Sequence, residues 1–312
     1  MEFLAAAYTD TGLSKETNQD SICLRRAMIT GAGEMIMAVV CDGMGGLKKG
    51  EVASKTAVEA FGDWFDQNLV QFPTICGSDF SIVRRQWTAL LDSLHQDLRA
   101  YSSSAGVSLG TTAAAMLTYA DRYLLVNIGD SRVYEMRNDL RQLTQDQSLV
   151  AREIAMGRIT EEESRHHPQR NILLQCIGAG DRLNPVFYEG KLQNGAVYLL
   201  CSDGLAHELS KSELSERLQT VFLNCKEEMT SVLRELTELC KQRGETDDIT
   251  SILVRAMESP PLPKASSFQK LASKFHIYGT KNADVKSEAT LIETAQIIHT
   301  TEVIGRNKRS QA

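Results

Sequence analysis

The sequence predicts an α+β fold, with a sheet-on-sheet core and helices packed outside it. Three observations predict this. Short apolar runs between Ala113 and Met136 are separated by turn residues about nine positions apart, the pattern of an antiparallel meander. Two blocks of the chain switch to the three-and-four spacing of amphipathic helices. No β-α-β alternation runs through the 312 residues, which argues against a parallel sheet.

In chain order, Phe3 to Tyr8 reads as a short strand, followed by a polar stretch with a turn at Gly12. Asp20 opens a second short apolar stretch, Ser21 to Leu24, and Gly31-Ala32-Gly33 turns it into the strand Met35 to Cys41. That strand stops abruptly at Asp42-Gly43-Met44-Gly45-Gly46. Val52, Ala53, Thr56, Ala57, Ala60, Phe61, Trp64 and Phe65 then mark one face of a helix, which Pro73 and Gly77 end. Ile82 to Leu98 repeats the pattern. Ser102 to Gly110 is a polar connector, and the meander follows as Ala113–Thr118, Tyr123–Ile128 and Arg132–Met136. Ser148 to Met156 reads as a short helix closed by Gly157. Thr160 and Glu163 form a capping box at the start of the next one. His166-His167-Pro168 reads as a solvated loop, because adjacent histidines on a helix point apart. Leu183–Tyr188 and Ala196–Cys201 are strands, and the second ends at Ser202-Asp203-Gly204. Lys211–Gln219 and Lys226–Arg243 are helices, with Gly244 as the C-cap of the latter, and Ile249–Val254 is the last strand.

Beyond Met257 the character changes. Residues 257–312 hold 8 basic and 5 acidic side chains, giving +3 against −9 for residues 1–256. Pro260-Pro261-Leu262-Pro263 marks a linker, and the Ser-, Thr- and Lys-rich remainder is expected to be mostly disordered, with one short apolar patch at Ile292–Ile298. The expected division is thus one folded unit over 1–256 and a linker with tail over 257–312.

Composition excludes several classes. A hydrophobic fraction of 42% with 24% charged residues is that of a globular protein, and no apolar run approaches a membrane span. The N-terminal residues have no basic region of a secretory signal. A net charge of −6 argues against nucleic acid as a partner. Seven cysteines, none in C-x-x-C pairs and most in apolar runs, read as buried free thiols of a reducing compartment, so a cytoplasmic protein is expected. Cys176 to Arg182 does match C-x5-R, the phosphate loop of cysteine-dependent phosphatases. That loop must feed a helix N-terminus, whereas here Leu183-Asn184-Pro185 and a strand-like Val-Phe-Tyr follow.

The chemistry points to carboxylates. Asp42, Asp130 and Asp203 each follow an apolar strand and abut a glycine, and Asp247 precedes a strand. In an antiparallel sheet the end of one strand lies beside the start of its neighbour, so all four can gather at one edge. Four unpaired carboxylates there repel one another, and a hard divalent cation is the natural remedy. Oxygen ligands favour magnesium or manganese over zinc.

Seven motifs run in order: Thr17-Asn18-Gln19-Asp20, Asp42-Gly43-Met44-Gly45-Gly46, Leu109-Gly110-Thr111-Thr112, Asn127-Ile128-Gly129-Asp130-Ser131-Arg132, Leu143-Thr144-Gln145-Asp146, Ser202-Asp203-Gly204 and Asp247-Asp248-Ile249-Thr250. Together they resemble the metal-dependent serine/threonine protein phosphatases of type 2C, in their bacterial form, over residues 1–256. The resemblance implies an antiparallel β-sandwich flanked by α-helices on both outer faces, the four-layer αββα arrangement. It implies hydrolysis of phosphoserine and phosphothreonine in proteins by a water activated between two Mg2+ or Mn2+ ions, without a phosphoenzyme. Asp42 would bridge the ions, Gly43 would lend its carbonyl to one, and Asp203 and Asp247 would complete the other. Asp130, with Asp203, would hold a third, weaker ion, and Asp20 would orient water. A flap from about Leu149 to Ile177 would meet the protein substrate. The expected partners are phosphorylated proteins, a cognate serine/threonine kinase and its targets among them, acted on by a monomer with no nucleic acid and no membrane involved.

The sequence departs from the family pattern at four places. Lys15 stands where an arginine commonly grips the substrate phosphate, keeping the charge but losing the bidentate fork. Gln19 stands where some members carry a metal-serving glutamate. Leu47 and Gln147 replace frequent histidines, so no general acid can be named. Asp248 replaces the usual asparagine. The alternative reading is a catalytically silent phosphatase-like binding module, which usually lacks one of the metal aspartates; here Asp42, Asp203 and Asp247 all stand.

Overall fold

The computed structural model describes residues 1–44, 49–77, 79–219 and 223–258, and the backbone of 289–297. Two antiparallel sheets stack face to face. One runs β1 (Glu2–Asp10), β12 (Ile249–Met257), β11 (Val197–Cys201), β8 (Arg132–Met136), β9 (Leu140–Gln142). The other runs β10 (Val186–Lys191), β7 (Arg122–Ile128), β6 (Ala113–Tyr119), β3 (Gly33–Cys41), β2 (Ser21–Ile29), β13 (Ala289–Ile297). A two-residue pair, β4 (Gly43–Met44) with β5 (Gly110–Thr111), sits at the end of the second sheet.

Strand alternation sends each sheet's side chains to two different cores. Ile36, Ala38, Val40, Ala114, Met116 and Leu125 face inward and meet Val133, Tyr198, Leu200, Ile252 and Val254 of the other sheet. Their neighbours Met37, Val39, Cys41, Ala115 and Val126 face outward and are covered by helices α1 (Gly50–Asn68) and α3 (Ser81–Ala105), with the short α2 (Phe72–Ile75) between them. Trp87 of α3 is fully buried there, with Phe61 and Trp64 meeting its ring edge-on at 5.2 and 5.4 Å. On the opposite outer face, α7 (Lys211–Arg217) and α8 (Lys226–Gln242) cover Tyr134, Leu199, Cys201 and Leu253 with Leu214, Met229, Leu233 and Leu236. Each such side chain contributes about 1.5–3 kcal/mol by leaving water. The result is the expected four-layer αββα sandwich. Cys41 and Cys201 point into its two outer cores.

The register explains where a site forms. Ser21 lies opposite Cys41, Ala113 opposite Ile128, Asp10 opposite Ile249, and Cys201 opposite both Arg132 and Ser251. The ends of β3, β7 and β11 and the start of β12 therefore come out at one edge of the sandwich.

Two expectations need correction. The second strand does not stop at Leu24 but continues to Ile29 through Arg25 and Arg26. These charges are accommodated because Arg25 pairs with Asp66 and Arg26 pairs with Glu34, whose other oxygen accepts Phe3 N at 2.7 Å. In the tail, where mostly disorder was expected, Ala289–Ile297 pairs antiparallel with β2. The remainder of 259–312 lies outside the described residues.

Candidate metal and phosphate site

Asp42 is the anchor. The strand before it is buried from Glu34 to Cys41, so its exit point is fixed. Its backbone N–H donates to Thr112 Oγ1 at 2.9 Å, and its carbonyl accepts from Thr112 N and Thr111 Oγ1, both at 2.9 Å. The L-G-T-T motif is thus the clamp on the D-G-x-G-G motif. Gly43 donates its N–H to Gln19 O at 3.1 Å. A Cβ at Gly43 would lie 2.3 Å from both Gln19 O and Gly50 O, so only glycine lets three backbones meet here. Gly45, Gly46 and Leu47 lie outside the described residues.

The other carboxylates are placed by comparable devices. Asp20 N donates to Asn18 Oδ1 at 2.9 Å, and Asn18 Nδ2 donates to Thr9 Oγ1 at 2.8 Å, which fixes the T-N-Q-D loop. Asp130 follows Gly129, whose φ of +95° turns the chain out of β7. Gln147 holds that turn, its Oε1 accepting Gly129 N at 2.9 Å and its own N–H donating to Gly129 O at 2.9 Å. The residue that replaces a family histidine thus serves the backbone. Asp203 opens the one-turn helix α6 (Asp203–Ala206), and Ser202 Oγ before it accepts Thr250 N at 3.0 Å. Asp247 N donates to Glu245 Oε1 at 2.8 Å, and Gly12 packs where a Cβ would meet Asp247 O at 2.1 Å.

Burial and mutual repulsion dominate the electrostatics. Burial, then Asp20, Asp203, Asp247 and Asp130, push the Asp42 carboxyl well above the carboxylate range. Burial, then Asp203 and Asp146, do the same to Asp130, partly offset by Arg132. Burial and then Asp248 raise Asp20 from 3.8 to about 7. The expected aspartates are therefore close enough to feel one another. Both oxygens of Asp20, Oδ1 of Asp203 and Oδ1 of Asp248 are buried with no hydrogen-bond partner. Such orphaned anionic oxygens, all of one hard donor type, fit a divalent cation.

Lys15 stands differently from expectation. Its ammonium is bonded to Asp247 Oδ1 and, at 3.0 Å, to Asp248 Oδ2. Burial alone would lower Lys15, but the two aspartates outweigh it and raise it. Asp248 is fully buried as a side chain and also accepts Gln19 N at 2.8 Å, so this departure from the family pattern anchors the other one. Gln19 itself reaches Glu51 Oε2 at 3.4 Å.

Among the described residues one set of three donor atoms lies mutually within 4.8 Å: Asp130, Asp203 and His207. Asp42, Asp203 and Asp247 do not form such a set. Sequence reading missed His207. The available signal was its spacing, four residues after Asp203 and so one helical turn along.

The expected flap folds as α4 (Leu149–Ala155) and α5 (Glu161–Arg165), the latter with the expected Thr160–Glu163 capping box. It walls a cleft of about 520 Å³ whose far side is formed by Arg132, Asp146, His207 and Lys211. Cys176 lies in a loop that leads to β10 without an intervening helix, and burial raises its thiol, so it lacks both features of a nucleophilic phosphate loop.

The family profile described as Protein phosphatase 2C matches residues 13–241. The chain belongs to this family. It is 32% identical over 263 residues to the serine/threonine protein phosphatase PstP of Mycobacterium tuberculosis, covering 81% of this chain and 45% of that protein, so it spans about half the length of that relative. It is 31% identical over 253 residues to the protein phosphatase PhpP of Streptococcus pneumoniae, covering 80% of this chain and 96% of that one. Among solved structures, the S. agalactiae serine/threonine phosphatase superposes with a TM-score of 0.70 at 28% identity, covering 82% of this chain and all of that one. The catalytic domain of PstP in complex with two manganese ions gives a TM-score of 0.66 at 27% identity, covering 82% and 99%. No helix among the described residues is long and apolar enough to cross a membrane.

Proposed function

We propose that this 2C-family chain is a Mg2+- or Mn2+-dependent phosphatase that hydrolyses phosphoserine and phosphothreonine in proteins. The observation that carries the reading is the gathering of Asp20, Asp130, Asp203 and Asp247 around Asp42, each raising that buried carboxyl. On this reading Asp42, the Gly43 carbonyl, Asp203 and Asp247 would hold two ions, and Asp130 with Asp203 would hold a third. When bound, these ions supply Lewis acidity and a water acidic enough to attack phosphorus at neutral pH. Asp20, buried beside this cluster, would orient that water. Lys15 is the cation for the substrate phosphate; to reach it the ammonium must exchange its bonds to Asp247 and Asp248 for the phosphate oxygens. The lysine gives one point of charge where an arginine fork would give two hydrogen bonds. Direct attack leaves no role for a cysteine.

The substrates on this reading are phosphorylated proteins, a cognate kinase and its targets among them, and the chain acts as a monomer in the cytoplasm. Seven free thiols support a reducing compartment. The test is hydrolysis of a phosphothreonine peptide with Mn2+, with and without excess chelator. Activity that needs metal and vanishes in Asp42→Ala supports the enzyme. An inactive parent that still binds Mn2+ supports the silent binding module, and chelator-resistant activity overturns the metal mechanism.

A further inference from the structure

We propose that His207 donates an imidazole nitrogen to the ion shared by Asp130 and Asp203, giving that site a preference for Mn2+ over Mg2+ that an all-oxygen site lacks. The inference rests on the metal-dependent reading above and adds a ligand of a different chemical class to it.

Three observations meet here. The donor atoms of Asp130, Asp203 and His207 lie mutually within 4.8 Å. An ion holding its ligands at about 2.1 Å spaces them by roughly 3 to 4.3 Å, so the set needs only a small contraction to close on one. Second, Asp203 is 8% exposed and its Oδ1 is buried without a partner, while its Oδ2 stands 3.6 Å from His207 Nδ1. That separation is too long for a hydrogen bond. The imidazole makes no hydrogen bond to any described residue, and an acceptor carboxylate and a ring nitrogen thus face each other with the space between them unused. Third, the placement is built by the fold. His207 caps the one-turn helix that Asp203 opens, its N–H donating to Asp203 O at 2.8 Å, which sets the two side chains one above the other. Its ring also lines the cleft beneath the flap, so an ion reaches the site from solvent past the histidine.

The chemistry sets the selectivity. Mg2+ holds oxygen ligands and water and takes nitrogen reluctantly, whereas Mn2+, although lowest in the Irving–Williams order, accepts an imidazole among its oxygen ligands more readily than Mg2+ does. The residues assigned to the two ions at Asp42 offer oxygen donors alone, so the protein would carry sites of two kinds. A histidine serving only to position Asp203 would leave the ion's own coordination free of nitrogen.

The test is Mn2+ binding to the full chain followed by pulsed electron paramagnetic resonance, with histidine supplied as the 14N or 15N isotope. The expected result is a 14N coupling on bound Mn2+ that changes to 15N on labelling and is absent in His207→Asn. That variant should bind one Mn2+ equivalent more weakly while retaining the others, and its Mn2+-over-Mg2+ preference at the Asp130–Asp203 site should fall on the order of tenfold. Binding of Mn2+ with no nitrogen coupling overturns this inference alone. A coupling that persists in His207→Asn overturns it as well. No Mn2+ binding by the parent overturns the metal-dependent reading and this inference with it.

Discussion

The two halves of the carboxylate cluster answer the same electrostatic problem in different ways. On one side, Asp247 and Asp248 are met by Lys15, an ammonium on a flexible stem. On the other, Asp130 and Asp203 face His207 without a hydrogen bond, and the nearest strong cation, Arg132, is committed to Asp146 by bonds of 2.7 and 3.0 Å. The first half is partly balanced by the chain itself, one ammonium against two carboxylates, so on the proposed reading a metal entering it would displace a tethered cation. The second half retains its deficit of positive charge. The fold thus makes one half of its cluster conditional and leaves the other ready.

Breaking the centre should have the largest effect. Asp42→Ala removes the carboxylate between the halves and should lower turnover of a phosphothreonine peptide on the order of a thousandfold. Next comes the ion pair beneath the ready half. Arg132→Ala strands Asp146, which is 10% exposed as a side chain, and should cost about 3–5 kcal/mol in a denaturant melt. The conditional half is tested by Lys15→Met, which should raise KM about tenfold through the lost phosphate contact while lowering the Mn2+ concentration needed for half-maximal activity. If both rise together, Lys15 does not compete with the metal.

Metal removal tests the cluster as a whole through pH. Asp20 is raised from 3.8 to about 7, and Asp42 and Asp130 are also raised, by burial and like charge. Groups raised on folding stabilise the native state below their unfolded values, and that gain is lost as pH climbs through the folded ones. The chelated chain should therefore melt several degrees higher at about pH 5.5 than at about pH 8, and saturating Mn2+ should flatten or invert the difference. The smallest effect is expected at Cys176→Ser, which should leave turnover within about twofold, because a raised, half-buried thiol is no nucleophile.

Much of this was legible because the signals were local. The apolar runs of β3 and the meander, the glycines beside Asp42 and Asp130, and the capping box at Thr160 are all read within a few residues. What was missed depends on distant partners. Arg25 and Arg26 look like the end of a strand until Asp66 and Glu34 are placed beside them. Lys15 looks free until Asp247, 232 residues away, reaches it. His207 was hidden differently: a single histidine in a polar stretch carries no signal until Asp130, from another strand, is brought across the sheet ends. The strand at Ala289–Ile297 was hidden by composition, since nothing in its neighbourhood suggested a partner as early as β2.

That last strand changes what it means to shorten the protein. By sequence alone the catalytic unit ends near residue 256, and a truncation there looks harmless. In the structure, Ala289–Ile297 runs along β2 from Ile22 to Ile29 and forms the outermost rung of the six-stranded sheet. Cutting it away bares a ladder of unanswered amide and carbonyl groups, an invitation for a second molecule to dock its own strand. Dimers or fibrils of a trimmed chain would then be a product of the scissors, not a property of the longer chain.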